Sequence, residues 1–260
     1  TLVANTEATA TTKGFWWNYN NAGSLVFYFA NDDGGSPWDI SVVHAWTPSV
    51  DIWHHLAVVR DSGTITQYVD GISIGSTAGQ SLSISSDNTL RVAADNLGTS
   101  DISGFLDELR ISKGVARWTS NFTPPQRQYG SNTVATDESN IIMEGSGSMK
   151  LEIGKPQIDG NTVAMWHFDE TNGDNAGDDL FDETVNNNDG EFVGSNIATA
   201  VVDGIIGKAR EFNGTDDYVE VPIDTDFAFG SSDFTIEAWV KYTNATDNLY
   251  PVALWDNTGN

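Results

Sequence analysis

Thr64-Ile65-Thr66-Gln67-Tyr68-Val69-Asp70-Gly71-Ile72-Ser73-Ile74 alternates apolar with polar residues on both sides of an Asp-Gly pair. Alternation turns successive side chains to opposite faces of a strand, and Asp-Gly tolerates the left-handed backbone of a tight turn, so the stretch reads as a β-hairpin. The same pattern continues outward. Trp53-His54-His55-Leu56-Ala57-Val58-Val59 and Phe234-Thr235-Ile236-Glu237-Ala238-Trp239-Val240 are short β-branched and aromatic runs, and Asn20-Asn21-Ala22-Gly23 separates the aromatic runs 15–19 and 25–29. No window sustains a helical period over three turns. The expected fold is all-β, an antiparallel jelly-roll β-sandwich.

Composition narrows the function classes. The 260 residues hold 12 Lys and Arg against 37 Asp and Glu, a formal charge of −25 with a pI near 4.1. Every phosphate contact would begin from repulsion, so no nucleic-acid partner is expected. Without Cys there are no disulfides, thiolate nucleophiles or Cys-ligated zinc. No run of 18 apolar residues exists, so no membrane insertion is expected. The chain opens Thr1-Leu2-Val3 without a signal-peptide pattern, which suggests a processed product or an excerpt of a longer chain. The acidity is regional: 1–130 carries 12 acids and 131–260 carries 25, with nine between Asp169 and Glu191.

Pro124-Pro125 and the Gly, Ser, Asn and Thr-rich residues to about Asp137 read as a linker. Beyond them, 138–154 reads as a short hairpin, because Met149, Leu151 and Ile153 alternate with charged residues.

Several motifs resemble the laminin-G-like, concanavalin A-like jelly-roll modules of bacterial surface proteins. The opening half of that pattern is matched by Ala164-Met165-Trp166-His167-Phe168-Asp169-Glu170, Asn186-Asn187-Asn188-Asp189-Gly190, the segment Gly207 to Val219 and the strand Phe234 to Lys241. Its closing half is matched by Trp53-His54-His55-Leu56-Ala57-Val58, Tyr68-Val69-Asp70-Gly71 and Gly104-Phe105-Leu106-Asp107-Glu108-Leu109-Arg110-Ile111-Ser112. The order is out of phase with one module. Residues 1–123 resemble a C-terminal half, 124–160 a linker with a hairpin, and 161–260 an N-terminal half. Half a jelly roll exposes core faces and open edges, so each half needs completion. The halves could close on each other as a circular permutant, complete a neighbouring copy in a filament, or belong to adjacent repeats of a tandem array.

The resemblance implies one structural Ca²⁺ where first and last strands meet, pointing to Phe168, Asp169 and Asp107. By chemistry alone Asp182, Asp189, Asp216 and Asp217 join them, since clustered loop carboxylates are the hard oxygen ligands that Ca²⁺ collects. The calcium-hand pattern fails, because Asn187 stands where Gly is required. Asx-turn capping of loops is the competing role for each acid.

Glycoside hydrolysis, which the resemblance also invites, needs two carboxylates about 5 to 5.5 Å apart when stereochemistry is retained. No Glu-x-Asp-x-Glu run exists, and strand alternation turns adjacent Asp107 and Glu108 to opposite faces. Gly71-Ile72-Ser73-Ile74-Gly75 matches a nucleophile-elbow expression, but the strand continues where a helix is required. Adjacent His54 and His55 point to opposite faces and cannot chelate one ion. Trp38 and Trp46 stand in a loop region and are the candidates for stacking on sugar. The expectation is therefore a non-catalytic, extracellular adhesion or assembly module, Ca²⁺-stabilised, whose partners are neighbouring copies or repeats of the same protein, with cell-surface glycans as the alternative.

Overall fold

The structure, a computed structural model, describes residues 13–31, 40–85, 89–95, 102–130, 140–143, 149–152, 158–170, 180–195, 201–222 and 224–255. Its strands form two antiparallel sheets packed as a jelly-roll sandwich. The first sheet runs β12 (Glu191–Val193), β15 (Tyr218–Val221), β7 (Leu90–Val92), β17 (Leu249–Trp255), β1 (Lys13–Asn20), β2 (Ser24–Asn31), β3 (Ile40–Ala45). The second runs β13 (Val201–Asp203), β14 (Lys208–Asn213), β8 (Ser103–Lys113), β16 (Phe234–Tyr242), β4 (Trp53–Asp61), β5 (Thr64–Val69), β6 (Ile72–Thr77), and β11 (Thr162–Trp166) also pairs with β8. β9 (Asn140–Met143) and β10 (Met149–Glu152) pair as a separate hairpin. The helical content among described residues is one 3-10 turn at Thr225–Phe227.

The two segments that sequence reads as halves interleave in both sheets of one chain. β16 lies between β4 and β8, and β17 lies between β1 and β7. Alternation sets the faces. Phe15, Trp17 and Tyr19 of β1 and Leu56 and Val58 of β4 enter one continuous core with Ile236, Ala238, Val240, Val252 and Leu254. Neither segment could bury these faces alone, and burying a Leu, Ile or Phe side chain contributes roughly 1.5–3 kcal/mol. Asp70 and Gly71, at φ 51° and 76°, make the left-handed two-residue turn that Asp-Gly predicts between β5 and β6. The β1–β2 turn falls at residues 21–23, as the Asn-Asn-Ala-Gly run indicates.

Residues 114–130 lie as a strap on the outer face of the second sheet. Ala57, Val59 and Tyr68 on that face pack against Ala116, Trp118 and Phe122. Residues 124–130, which composition reads as the start of a linker, belong to this packed strap: Trp239 Nε1 donates to Pro125 O at 3.1 Å and Tyr129 is buried. Aromatic anchors outweigh the local Pro and polar content.

Candidate functional site

One edge of β8 is shared by two strands placed end to end. β14 pairs with Ser103 to Leu106, and β11 pairs with Leu109 to Ser112. Asp107 and Glu108 occupy the seam between them. Pairing with β16 slips here, and Glu108 takes φ 53°, so an extra residue bulges out of the strand. Leu106 and Leu109 both enter the core, and the two acids between them both lie off it. Strict alternation, which would turn them to opposite faces, is corrected by this bulge.

The seam gathers carboxylates. Asp107 is fully buried; its Oδ2 accepts from Ile205 N at 2.8 Å and Ile206 N at 2.9 Å, while its Oδ1 has no partner. Burial pushes its pKa up to about 8, the charges of Glu108 and Asp169 add to this, and the two N–H groups oppose it. Glu108 accepts from His167 Nδ1 at 2.6 Å and from Tyr129 N at 3.2 Å, yet burial still raises it. Asp169, one residue beyond Phe168, accepts from Lys208 N at 2.5 Å and Gln128 Nε2 at 3.0 Å. Burial also raises Glu170, whose Oε2 is buried without a partner. The β13–β14 loop closes the site, since a Cβ on Gly204 would meet Asp107 Oδ2 at 2.5 Å and one on Gly207 would meet Asp169 Oδ1 at 2.8 Å.

Asp107 Oδ1, an unpartnered oxygen on a fully buried carboxylate that feels the charge of Asp169, is the kind of hard donor that a divalent cation takes. Among the described residues no three His, Asp or Glu side chains form a ligand group by themselves. Carbonyls would have to complete the shell. Phe168 sits at φ 62° with its ring in the core, so its carbonyl is its available ligand.

The other acids serve separate loops. Asp182 accepts from Met165 N at 2.9 Å, Thr184 N at 3.0 Å, Thr184 Oγ1 at 2.6 Å and Asn188 N at 2.9 Å, bracing residues 180–190 on β11. Asp189 accepts from Asp182 N at 2.7 Å in the same brace. Asp216 accepts from Asn213 Nδ2 at 2.7 Å and Ser195 Oγ at 3.0 Å, and Asp217 from Asn213 N at 3.2 Å, in the β14–β15 turn. These are the Asx-type roles weighed against ligation. Trp46 packs edge-on against Tyr19 and His54 at centroid distances of 6.1 and 5.5 Å, and Trp38 lies outside the described residues.

Gln128 belongs to the seam without having been singled out from sequence, Glu108 was weighed there only as a catalytic partner of Asp107, and Glu170 adjoins the seam through Asp169. Glu170 follows Asp169 directly and could have been found there. Glu108 depends on a bulge and Gln128 on the path of the strap, and neither leaves a local pattern. The two histidines do face opposite ways: His54 Nδ1 lies 2.8 Å from Asp70 Oδ2, while His55 Nε2 donates to buried Glu237 at 3.0 Å.

Residues 1–119 match a family model described as the concanavalin A-like lectin/glucanases superfamily. No curated protein and no solved structure matches the chain.

Proposed function

We propose that the chain, whose residues 1–119 match a model of the concanavalin A-like lectin/glucanases superfamily, is a non-catalytic, Ca²⁺-stabilised module of an extracellular surface protein, serving adhesion or assembly. The observation that carries the cation is the fully buried Asp107, whose Oδ1 lacks a partner among other desolvated carboxylates. Asp107, Asp169 and the Phe168 carbonyl would hold it, and the ion would supply positive charge beside the desolvated Asp107.

The non-catalytic reading is supported by what the buried acids already do. Glu237 is wholly buried and accepts from Arg110, His55 and Tyr129, and Glu108 is held by His167 and Tyr129. Such carboxylates lie beneath protein and present no paired acids to a bound sugar. Because the sandwich closes within one chain, a neighbouring copy or repeat would meet its outer surface and would not need to exchange a half-domain.

Adding Ca²⁺ to metal-stripped protein is expected to raise the melting temperature, and Asp107→Asn is expected to abolish that rise. An equal rise in the variant would remove the seam as the Ca²⁺ site.

A further inference from the structure

Residues 114–130 are anchored along the second sheet before they reach the seam. Gly114 N donates to Asp233 O at 2.7 Å, and Thr235 Oγ1 donates to Val115 O at 3.1 Å and accepts from Arg117 N at 3.0 Å. Trp118 and Phe122 stack at 3.8 Å, with the His55 ring edge-on to both. Phe122 N donates to Gly71 O at 2.9 Å, at the β5–β6 turn. The strap then returns across Trp239 and ends at Gln128 and Tyr129.

Those two residues meet the acids of the seam. Gln128 Nε2 donates to Asp169 Oδ2 at 3.0 Å, Tyr129 N donates to Glu108 Oε2 at 3.2 Å, and Tyr129 OH donates to Glu237 Oε1 at 3.0 Å. Arg110 lies over the Tyr129 ring at 4.0 Å and pairs with Glu237, so Tyr129 is gripped on both sides. The strap therefore supplies N–H donors to two mutually repelling carboxylates and fixes each in one orientation. Donors of this kind, one step removed from an ion, remove the cost of ordering the ligands at the moment of binding.

We propose that Gln128, held in place by the Tyr129 anchor beside it, is a positioning residue of the cation site through Asp169, and that strap docking and Ca²⁺ binding reinforce one another. The inference rests on the Ca²⁺ reading of the seam. Linkage makes the effect reciprocal: if the docked strap tightens the ion, the ion tightens the strap by the same factor. Gln128 is half-buried and outside the core, so its truncation opens no core cavity.

Calorimetric titration of CaCl₂ into wild type and Gln128→Ala tests the first direction. The variant is expected to bind roughly tenfold more weakly. Trypsin cleavage after exposed Arg127 tests the second on the unaltered chain, and Ca²⁺ is expected to slow that cut severalfold. In a wild type that binds Ca²⁺, equal affinity in the variant or an unchanged cut at Arg127 overturns the positioning role and leaves the cation reading standing. A wild type that takes up no Ca²⁺ overturns both.

Discussion

Asp159 ties the strap to the start of β11. Arg117 Nη2 donates to its Oδ1 at 2.7 Å and Nη1 to its Oδ2 at 3.1 Å, and Asn161 N and Thr162 N donate to it as well. Partial burial works against its charge, but Arg117 and these donors outweigh that and pull the pKa down to about 2. A carboxylate whose folded pKa is depressed stabilises the fold above its unfolded value and loses that contribution as pH falls. Asp159→Asn should therefore remove at most about 1 kcal/mol after solvent screening near neutral pH. The loss should vanish between pH 4 and 2 in urea melts, and a pH-independent difference would contradict the assignment. Leu106→Asp sets a charge in the core beside the seam and should cost roughly 4 kcal/mol or more, read as loss of cooperative unfolding. Leu106 was legible from its strand phase. The posture of Asp107 and Glu108 was not, because a bulge arises from two strands meeting end to end along β8, a long-range event that one strand's alternation does not encode.

Among the elements, the strap depends on Gly71. At φ 76° a Cβ there is strained and would overlap Phe122 O, so Gly71→Ala should detach the strap tip at the cost of about 1–2 kcal/mol. Increased trypsin cleavage after Arg117 and altered Trp fluorescence would report it, and unchanged cleavage would contradict the docked path. Trp239 lies on the outer face, buried by His55 and the strap. Trp239→Asp is expected to loosen the strap and, through Gln128, to weaken Ca²⁺ binding. Strands and hairpins were readable because period-two alternation and Asp-Gly pairs are local signals. Partners were not: alternation says which face of β16 is buried, but not that β4 and β8 flank it from a segment more than a hundred residues away. The motif order carried that information only through the family resemblance.

At the scale of the molecule, a net charge of −25 opposes compaction, and the seam concentrates that opposition where Asp107, Glu108 and Asp169 lie within electrostatic reach of one another. A bound divalent cation would relieve it at the place where residues 161–170 close against β8. Closure within one chain and the ion at its seam are thus one claim about how two half-patterns make a whole sandwich. Light scattering coupled to size exclusion, on dilute protein with Ca²⁺, tests it most directly. The expected result is a compact monomer at 28.1 kDa. Ladders, fibres or an expanded monomer would show that the halves are completed elsewhere, and would contradict it.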